Sequence, residues 1–463
     1  MRSPALMLVL LTASCAVGPD YLQPQMAAPA GWGERVDTSA ADLSRWWTVF
    51  KDATLERLVE DAIQANHDLK FAGARVKEAR ANVGVAFGGL LPEVDLAGSA
   101  ARNRTSGNGL RLPGTGLYSD RYTAAFDAGW EIDLFGSTRR GIEAAAADYE
   151  ASIEFRDAVL VSLMGDVARN YVALRGNQKL RAVLQENVKS AKATAELIRA
   201  RIRAGVATDF DLARAESLVA RAEGQVPPVE VALKQSIHRI GVLLGREPRA
   251  LEEELEKEAP IPVAPAQIVV GLPSELLRRR PDVRGAERQL AAATARVGVA
   301  TADLFPRFSL TGAFGLDSLK SGDFFESAGR AWSVGPFVRW PVFAGGRIRS
   351  SIKAADARQE QSLAEYERSV LLALEEVENT LVAYLREWDR RRAVTAAVDA
   401  DRRAAALSDD LYKKGLASFL EVLESQQNLY AAQAELARSD AGVSLALVSL
   451  YKALGGGWDP TQR

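Results

Sequence analysis

The chain has 463 residues, with 58 Lys and Arg against 60 Asp and Glu and a formal net charge of −2, so no global charge argues for a nucleic-acid partner. Two His and one Cys leave almost nothing for metal or thiol chemistry and exclude a disulfide within the chain. Aromatic residues make up only 7%, while Ala, Arg, Glu and Leu dominate the long segments, a composition that favours long helices.

Arg2 supplies a minimal positive start, and Ala5 to Ala13 is apolar but too short to span a bilayer. The run ends in Leu11-Thr12-Ala13-Ser14-Cys15, which resembles a bacterial lipobox. That likeness implies a signal peptide over 1–14, a lipid-modified Cys15 and, with Ala16 rather than Asp after it, sorting to the outer membrane. Residues 15–53 are rich in Pro, Gly and polar residues and read as an extended arm, with Trp46-Trp47 near its end. A helical period begins near Thr54 and runs to about Gly88. No segment offers 18 apolar residues in a row, so no transmembrane helix is expected.

Past Leu91-Pro92 the period changes to two. Val94 and Leu96, then Tyr122, Phe126, Trp130 and Ile132, alternate with small or polar residues, which predicts a β-hairpin over about 92–134. No proline occurs between Pro113 and Pro227, so a long helical hairpin follows, its tip near Gly205. Pro227-Pro228 predicts a kink or break in the returning helix, because a helix interior rejects such a pair. The first repeat thus spans 54–246, and a Pro-rich, acidic linker covers 247–273.

The second repeat, 274–455, carries a predicted β-hairpin over about 306–343 and a helical hairpin with its tip near Gly415; residues 456–463 form a tail. Neither Gly nor Pro occurs from Arg347 to Lys414, a stretch of roughly 100 Å if it is one helix at about 1.5 Å per residue. Its apolar positions Leu363, Tyr366, Val370, Leu374, Val377, Leu381, Tyr384 and Trp388 advance by three or four, a narrow coiled-coil-like seam.

The two halves say the same thing twice. Ala81-Asn82-Val83-Gly84-Val85-Ala86 returns as Ala295-Arg296-Val297-Gly298-Val299-Ala300, and Leu91-Pro92 as Phe305-Pro306, 214 residues on. Trp130 returns as Trp340, Gly205 as Gly415 and Gly245 as Gly455, 210 residues on. The four-residue difference falls inside the second β-hairpin, where a loop absorbs it.

The strands have one apolar, aromatic-rich face and one polar, small-residue face, the pattern of an outer-membrane barrel with lipid outside and a lumen inside. An open sheet edge in lipid leaves backbone groups unsatisfied, and four strands cannot close. On this reading the chain must oligomerise; the alternative is a small soluble sandwich capping a coiled coil.

These residues together resemble the TolC-like outer-membrane efflux factors, in the lipoprotein branch similar to OprM and NodT, over essentially the whole mature chain. The motifs that carry the likeness are Cys15-Ala-Val-Gly-Pro-Asp-Tyr21, Trp46-Trp47, the two Val-Gly-Val-Ala passages, the Leu-Phe-Gly136 and Phe-Ala-Gly345-Gly346 turns, and Tyr451-Lys-Ala-Leu-Gly-Gly-Gly-Trp458. The resemblance implies a mainly α-helical chain with an internal duplication. It implies a homotrimer with a twelve-stranded transmembrane β-barrel, four strands per protomer, continuous with a long periplasmic α-helical barrel. It implies a passive exit duct of a tripartite efflux system for drugs or other small molecules, anchored in outer-membrane lipid. Its partners would be a periplasmic membrane-fusion adaptor and an inner-membrane transporter, of RND type.

In such ducts the helix tips far from the membrane close the tube. By resemblance, the gate residues are Tyr412, three residues before Gly415, Glu421 and Glu424, six and nine after it, and Asp211, six after Gly205, with Asp209 beside it. Threefold symmetry would turn Glu421 and Glu424 into rings of like charge that favour cations. A Tyr412–Asp211 hydrogen bond between neighbouring hairpins is the expected latch. The family usually shows Asp where this chain has the longer Glu421 and Glu424, so the family's pore radius and ion affinity do not carry over.

No P-loop, dinucleotide fingerprint, metal-ligand cluster or nucleophile motif occurs, so no enzyme, no cofactor and no metal site is expected. His67 and His238 read as structural or exposed. The competing readings are a duct for a type I protein-secretion system and a non-transport coiled-coil surface rod.

Overall fold

A computed structural model of the chain describes residues 16–26, 29–39, 43–106, 118–265 and 268–458. The predicted signal peptide and Cys15 lie outside them, as do most of the first hairpin loop and the last residues of the tail.

Helices α1 (Ala53–Ala65) and α2 (His67–Gly88) precede strands β1 (Glu93–Arg104) and β2 (Tyr118–Ile132). Helix α3 (Ser137–Arg203) is unbroken over 67 residues. The chain returns through α4 (Asp209–Gly224) and α5 (Val226–Leu243), and then the short α6 (Glu252–Leu255) and α7 (Pro273–Arg279). The second repeat gives α8 (Pro281–Ala302), β3 (Arg307–Ser318), β4 (Arg330–Arg339), α9 (Arg347–Lys413) and α10 (Phe419–Ala453).

The repeat governs this element order almost residue for residue. Helices α2 and α8 and strands β1 and β3 begin and end 214 positions apart. Helices α3 and α9 match at 210, as do the start of α4 with that of α10 and the end of α5 with that of α10. The interruption expected at Pro227-Pro228 falls at Gln225, and both prolines sit in the first turn of α5, where their missing N–H groups cost nothing. Helix α10 runs through the equivalent place unbroken.

The contacts repeat too. Trp130 Nε1 donates to the Leu90 carbonyl at 2.9 Å and Trp340 Nε1 to the Leu304 carbonyl at 3.0 Å, so each indole ties a strand end to the turn that precedes its hairpin. Asn66 Nδ2 donates to the Leu243 carbonyl at 2.9 Å and Arg280 to the Ala453 carbonyl at 2.8 Å, each satisfying the C-terminus of a returning helix. Asn66 also accepts from Leu69 N at 2.9 Å, which starts α2. The helical period had suggested one helix from Thr54 to Gly88; this cap divides it into two.

The described residues fall into two compact units, each assembled from both repeats. One lies within Met1–Gln25, Arg75–Ser152 and Gly285–Tyr366 and contains the sheet. The strands pair antiparallel in the order β1-β2-β3-β4. Leu96, Phe126, Phe314 and Trp332 form one cross-strand row, and Val94, Ala128, Gly312 and Val334 the next. On the opposite face Asp95, Asp127, Ala313 and Ser333 are in register. The apolar face is uncovered: Phe314 is 62% and Trp332 74% exposed. Strands β1 and β4 each have an unpaired edge in the sheet.

The arm is strapped onto this unit. Val17 N donates to the Phe135 carbonyl at 3.1 Å, and the buried Arg140 donates to the Val17 and Gly18 carbonyls and to Asp20, the last at 2.6 Å. Gly18 and Gly298 touch so closely that a Cβ on Gly18 would stand 2.4 Å from the Gly298 Cα.

The other unit lies within Met26–Ala74, Ile153–Arg284 and Glu367–Arg463. There Trp46 stacks on Tyr451 at 5.4 Å, and Gly457 N donates to the Leu43 carbonyl at 2.7 Å. Within this unit the buried positions of α9 include Val370, Ala373, Val377, Leu381 and Tyr384. The seam thus passes through Ala373 rather than Leu374, which is half-buried. Trp32 Nε1 donates to the Gly271 carbonyl at 2.8 Å, and Gly33 N to Glu378 at 3.0 Å, which lays the arm beside the linker and α9.

Candidate functional site

The Gly205 and Gly415 turns meet within the second unit. Ala191, Ala195 and Ile198 of α3, Ala215 and Leu218 of α4, and Phe419, Val422 and Leu423 of α10 form one buried cluster. Tyr412, at the end of α9, packs against it with Ala207 and Leu212.

Both turns are built alike. Gly205 and Gly415 have φ of 73° and 76°, a left-handed backbone that suits glycine. Gly205 N donates to the Ile202 carbonyl and Val206 N to the Arg201 carbonyl; Gly415 N and Leu416 N do the same to Tyr412 and Leu411. This double bond is a Schellman stop.

The chain then restarts a helix. Thr208 Oγ1 accepts from Asp211 N at 3.2 Å, while Asp211 Oδ2 accepts from Thr208 N at 3.1 Å and from Thr208 Oγ1 at 2.8 Å, a complete capping box. Ser418 occupies the matching cap and donates through Oγ to Glu421 at 3.3 Å. Asp211 and Glu421, singled out as gate carboxylates, are therefore also helix-start residues.

Among the described residues Tyr412 and Asp211 of one chain are not hydrogen-bonded to each other. The Asp211 carboxylate is committed to Thr208, and the Tyr412 ring is drawn into the apolar cluster. Tyr412 lies 5.5 Å from the Phe419 ring, and the Arg201 guanidinium covers it at 4.2 Å. Asp209, Glu421 and Glu424 are exposed, and Asp211 and Tyr412 half-buried. Lys413 pairs with Asp409 at 2.5 Å and Lys414 with Asp410 at 2.6 Å, so the end of α9 neutralises its own charges.

Reading the sequence missed Arg201 and Phe419 as partners of Tyr412, and Thr208 and Ser418 as caps. The caps have a legible signal, Thr208-x-x-Asp211 and Ser418-x-x-Glu421, three apart just before apolar residues. Arg201 has none, because its partner lies on another helix. Among the described residues no group of three His, Cys, Asp or Glu is placed to hold a metal ion. Charged groups around an aromatic seam can set a width and a charge; they offer no catalytic pair.

A model of the outer membrane efflux protein family matches residues 58–246 and 272–456, most of the chain. The chain belongs to the outer membrane efflux protein family. Among its relatives, Nodulation protein T of Rhizobium leguminosarum bv. trifolii is 35% identical over 98% of this chain and 97% of that protein. The toluene efflux pump outer membrane protein TtgI of Pseudomonas putida is 31% identical over 100% of this chain and 99% of its own. The solved structure of the outer-membrane channel OprN superposes with a TM-score of 0.90 at 36% identity, covering 96% of this chain and all of that one. Family and fold are those of outer-membrane channels rather than of enzymes.

Proposed function

We propose that this efflux channel is the exit duct of a tripartite pump, closed by three copies of the chain. The observation that carries the reading is the four-stranded sheet. Its apolar rows are exposed in the single chain, its outer edges are unpaired, and no described helix is long and apolar enough to cross a membrane. Three such sheets joined edge to edge give twelve strands in a closed ring, with Phe126, Phe314 and Trp332 toward lipid and Asp95 and Asp127 toward the lumen. Asp95 and Asp127 stand directly opposite each other, an arrangement that is unfavourable in a dry core and tolerable beside water.

The helices form the periplasmic tube, and the paired turns form its gate. Within each chain Arg201 clamps Tyr412, and the exposed Asp209, Glu421 and Glu424 supply the charge that faces the pore. The turns also carry a matched apolar rim. Val206 is 64% and Leu416 74% exposed, and Phe210 and Leu420 follow at equivalent positions. Such a rim suits the apolar tips of a periplasmic adaptor, which joins the duct to an inner-membrane transporter of RND type. The cargo is a drug or another small molecule. Cys15 carries the lipid, and the strapped residues 17–20 hold that end of the chain on the sheet-bearing unit.

The test is complementation of a Gram-negative strain that lacks its own duct, with the native adaptor and transporter supplied. Restored resistance to a panel of exported small molecules supports the reading. Resistance unchanged by the duct, with the protein extracted from cells by salt alone, contradicts it.

A further inference from the structure

A cavity of about 210 Å³ opens between α3, α4 and α10, beside the interruption of the returning helix in the first repeat. Gly224 ends α4, Val226 begins α5, and Gln225 between them lines the cavity. Its floor is apolar, made of the buried Leu184, Leu218 and Ala222. One polar group breaks that floor. Asn187 is 5% exposed, yet its Nδ2 has no hydrogen-bond partner among the described residues. A buried donor left without an acceptor is unfavourable, so the site favours a ligand that supplies one.

The remaining polar lining adds further donors. The Tyr430 hydroxyl lies at the same wall, and burial raises its pKa. Arg221, Gln225 and Gln427 stand exposed at the mouth. Among the described residues no carboxylate lines the cavity. The acids nearest Arg221 in sequence are engaged elsewhere: Glu216 pairs with Arg199 and Glu223 with Lys192.

The duplication shows that this polar set is particular to one place. At 210 residues' offset, Asn187 corresponds to Ala397, Arg221 to Ala431 and Tyr430 to Ala220. Gln225 corresponds to Glu435, inside the unbroken α10. Helix packing therefore does not require these side chains, since the matching half of the fold does without them.

We propose that this cavity binds a small organic carboxylate, with its apolar body on Leu184, Leu218 and Ala222 and its anionic head among Asn187, Tyr430 and Arg221. The space equals that of about seven liquid waters at about 30 Å³ each, which admits a single ring. A carboxylate brings acceptors to a site that offers mainly donors, and it balances the one cation. An ammonium ion would meet Arg221 with no acid to offset it. The site is distinct from the Gly205 and Gly415 turns, and the proposal does not depend on how they gate.

The test is a fluorine NMR titration of the full-length protein in detergent with para-fluorobenzoate. Para-fluorobenzamide and para-fluorobenzylammonium serve as neutral and cationic counterparts. The expected result is saturable binding at one site per chain, with Kd near or below about 1 mM. The amide should bind about tenfold more weakly, and the ammonium not measurably. Arg221→Gln changes an exposed side chain, leaves folding intact and should weaken benzoate binding about tenfold. Asn187→Leu fills the floor, removes the donor and should abolish binding; if that variant misfolds, Arg221→Gln decides alone. Equal binding of the three probes, unchanged affinity in Arg221→Gln, or no saturable binding by the parent protein would overturn the proposal; the last would leave the cavity to water.

Discussion

Phe314→Arg tests whether the apolar face of the sheet meets lipid. Phe314 stands between Phe126 and Trp332 in the central cross-strand row and is largely exposed in the single chain. An arginine on a lipid-facing strand position costs about 2–4 kcal/mol at the bilayer midplane. At about 1.4 kcal/mol per decade, that lowers the folding equilibrium by roughly 30-fold to 700-fold for each chain. The control is Ala313→Arg, one residue away on the opposite face. There the new guanidinium stands across from Asp127, in water, and the cost should be within about 0.5 kcal/mol of zero. The assay is urea-dependent folding into lipid vesicles, followed by tryptophan fluorescence and by the gel shift of the assembled form. Equal costs for the two variants would refute the lipid-facing assignment. So would a Phe314→Arg protein that folds better without lipid, which is the behaviour of a soluble cap.

Two further predictions rest on the geometry and one on the sequence. Because Tyr412 is held by its ring, Tyr412→Phe should leave the gate shut, while Arg201→Gln should loosen it by about 0.5–1 kcal/mol, a two- to fivefold rise in entry of a large hydrophilic antibiotic into cells; leakage in Tyr412→Phe alone would restore the hydroxyl latch. Arg280 is largely buried and bonds Asp282, Glu376 and the Ala453 carbonyl, so Arg280→Ala should destabilise by about 2–3 kcal/mol, clearly more than Asn66→Ala at its repeat-related position, as thermal melts would report. Cys15→Ser should eliminate labelling by radioactive palmitate, and retained label would place the lipid elsewhere.

Much of this fold was legible because the repeat doubles every local signal. A period of two in Val94-Leu96 is weak alone, but it recurs as Phe308-Leu310 at a fixed offset, and the observed β1 and β3 share that offset to the residue. The long helices announced themselves by the absence of Gly and Pro from Arg347 to Lys414. What stayed hidden depends on partners distant in the chain. The break at Asn66 exists because its side chain reaches Leu243 as well as the start of α2, and nothing near it in sequence shows that contact. Periodicity alone does not choose between Ala373 and Leu374 for the seam. Nor does it show that Gly176 admits the Ala441 methyl group against the α3 backbone, with room for no Cβ of its own. At the turns, the helix-start role of Asp211 and Glu421 is legible in Thr208 and Ser418 three residues before them. The cation over Tyr412 comes from the other repeat, where periodicity has nothing to say.

Single-channel recording in planar bilayers tests the central claim most directly. The purified chain should insert to give discrete, cation-preferring conductance steps, small in the parent and larger in Tyr412→Leu, which removes the ring that Arg201 and Phe419 hold. A protein that gives no steps in either form, or steps that Tyr412→Leu leaves unchanged, would contradict an outer-membrane duct gated at the paired turns.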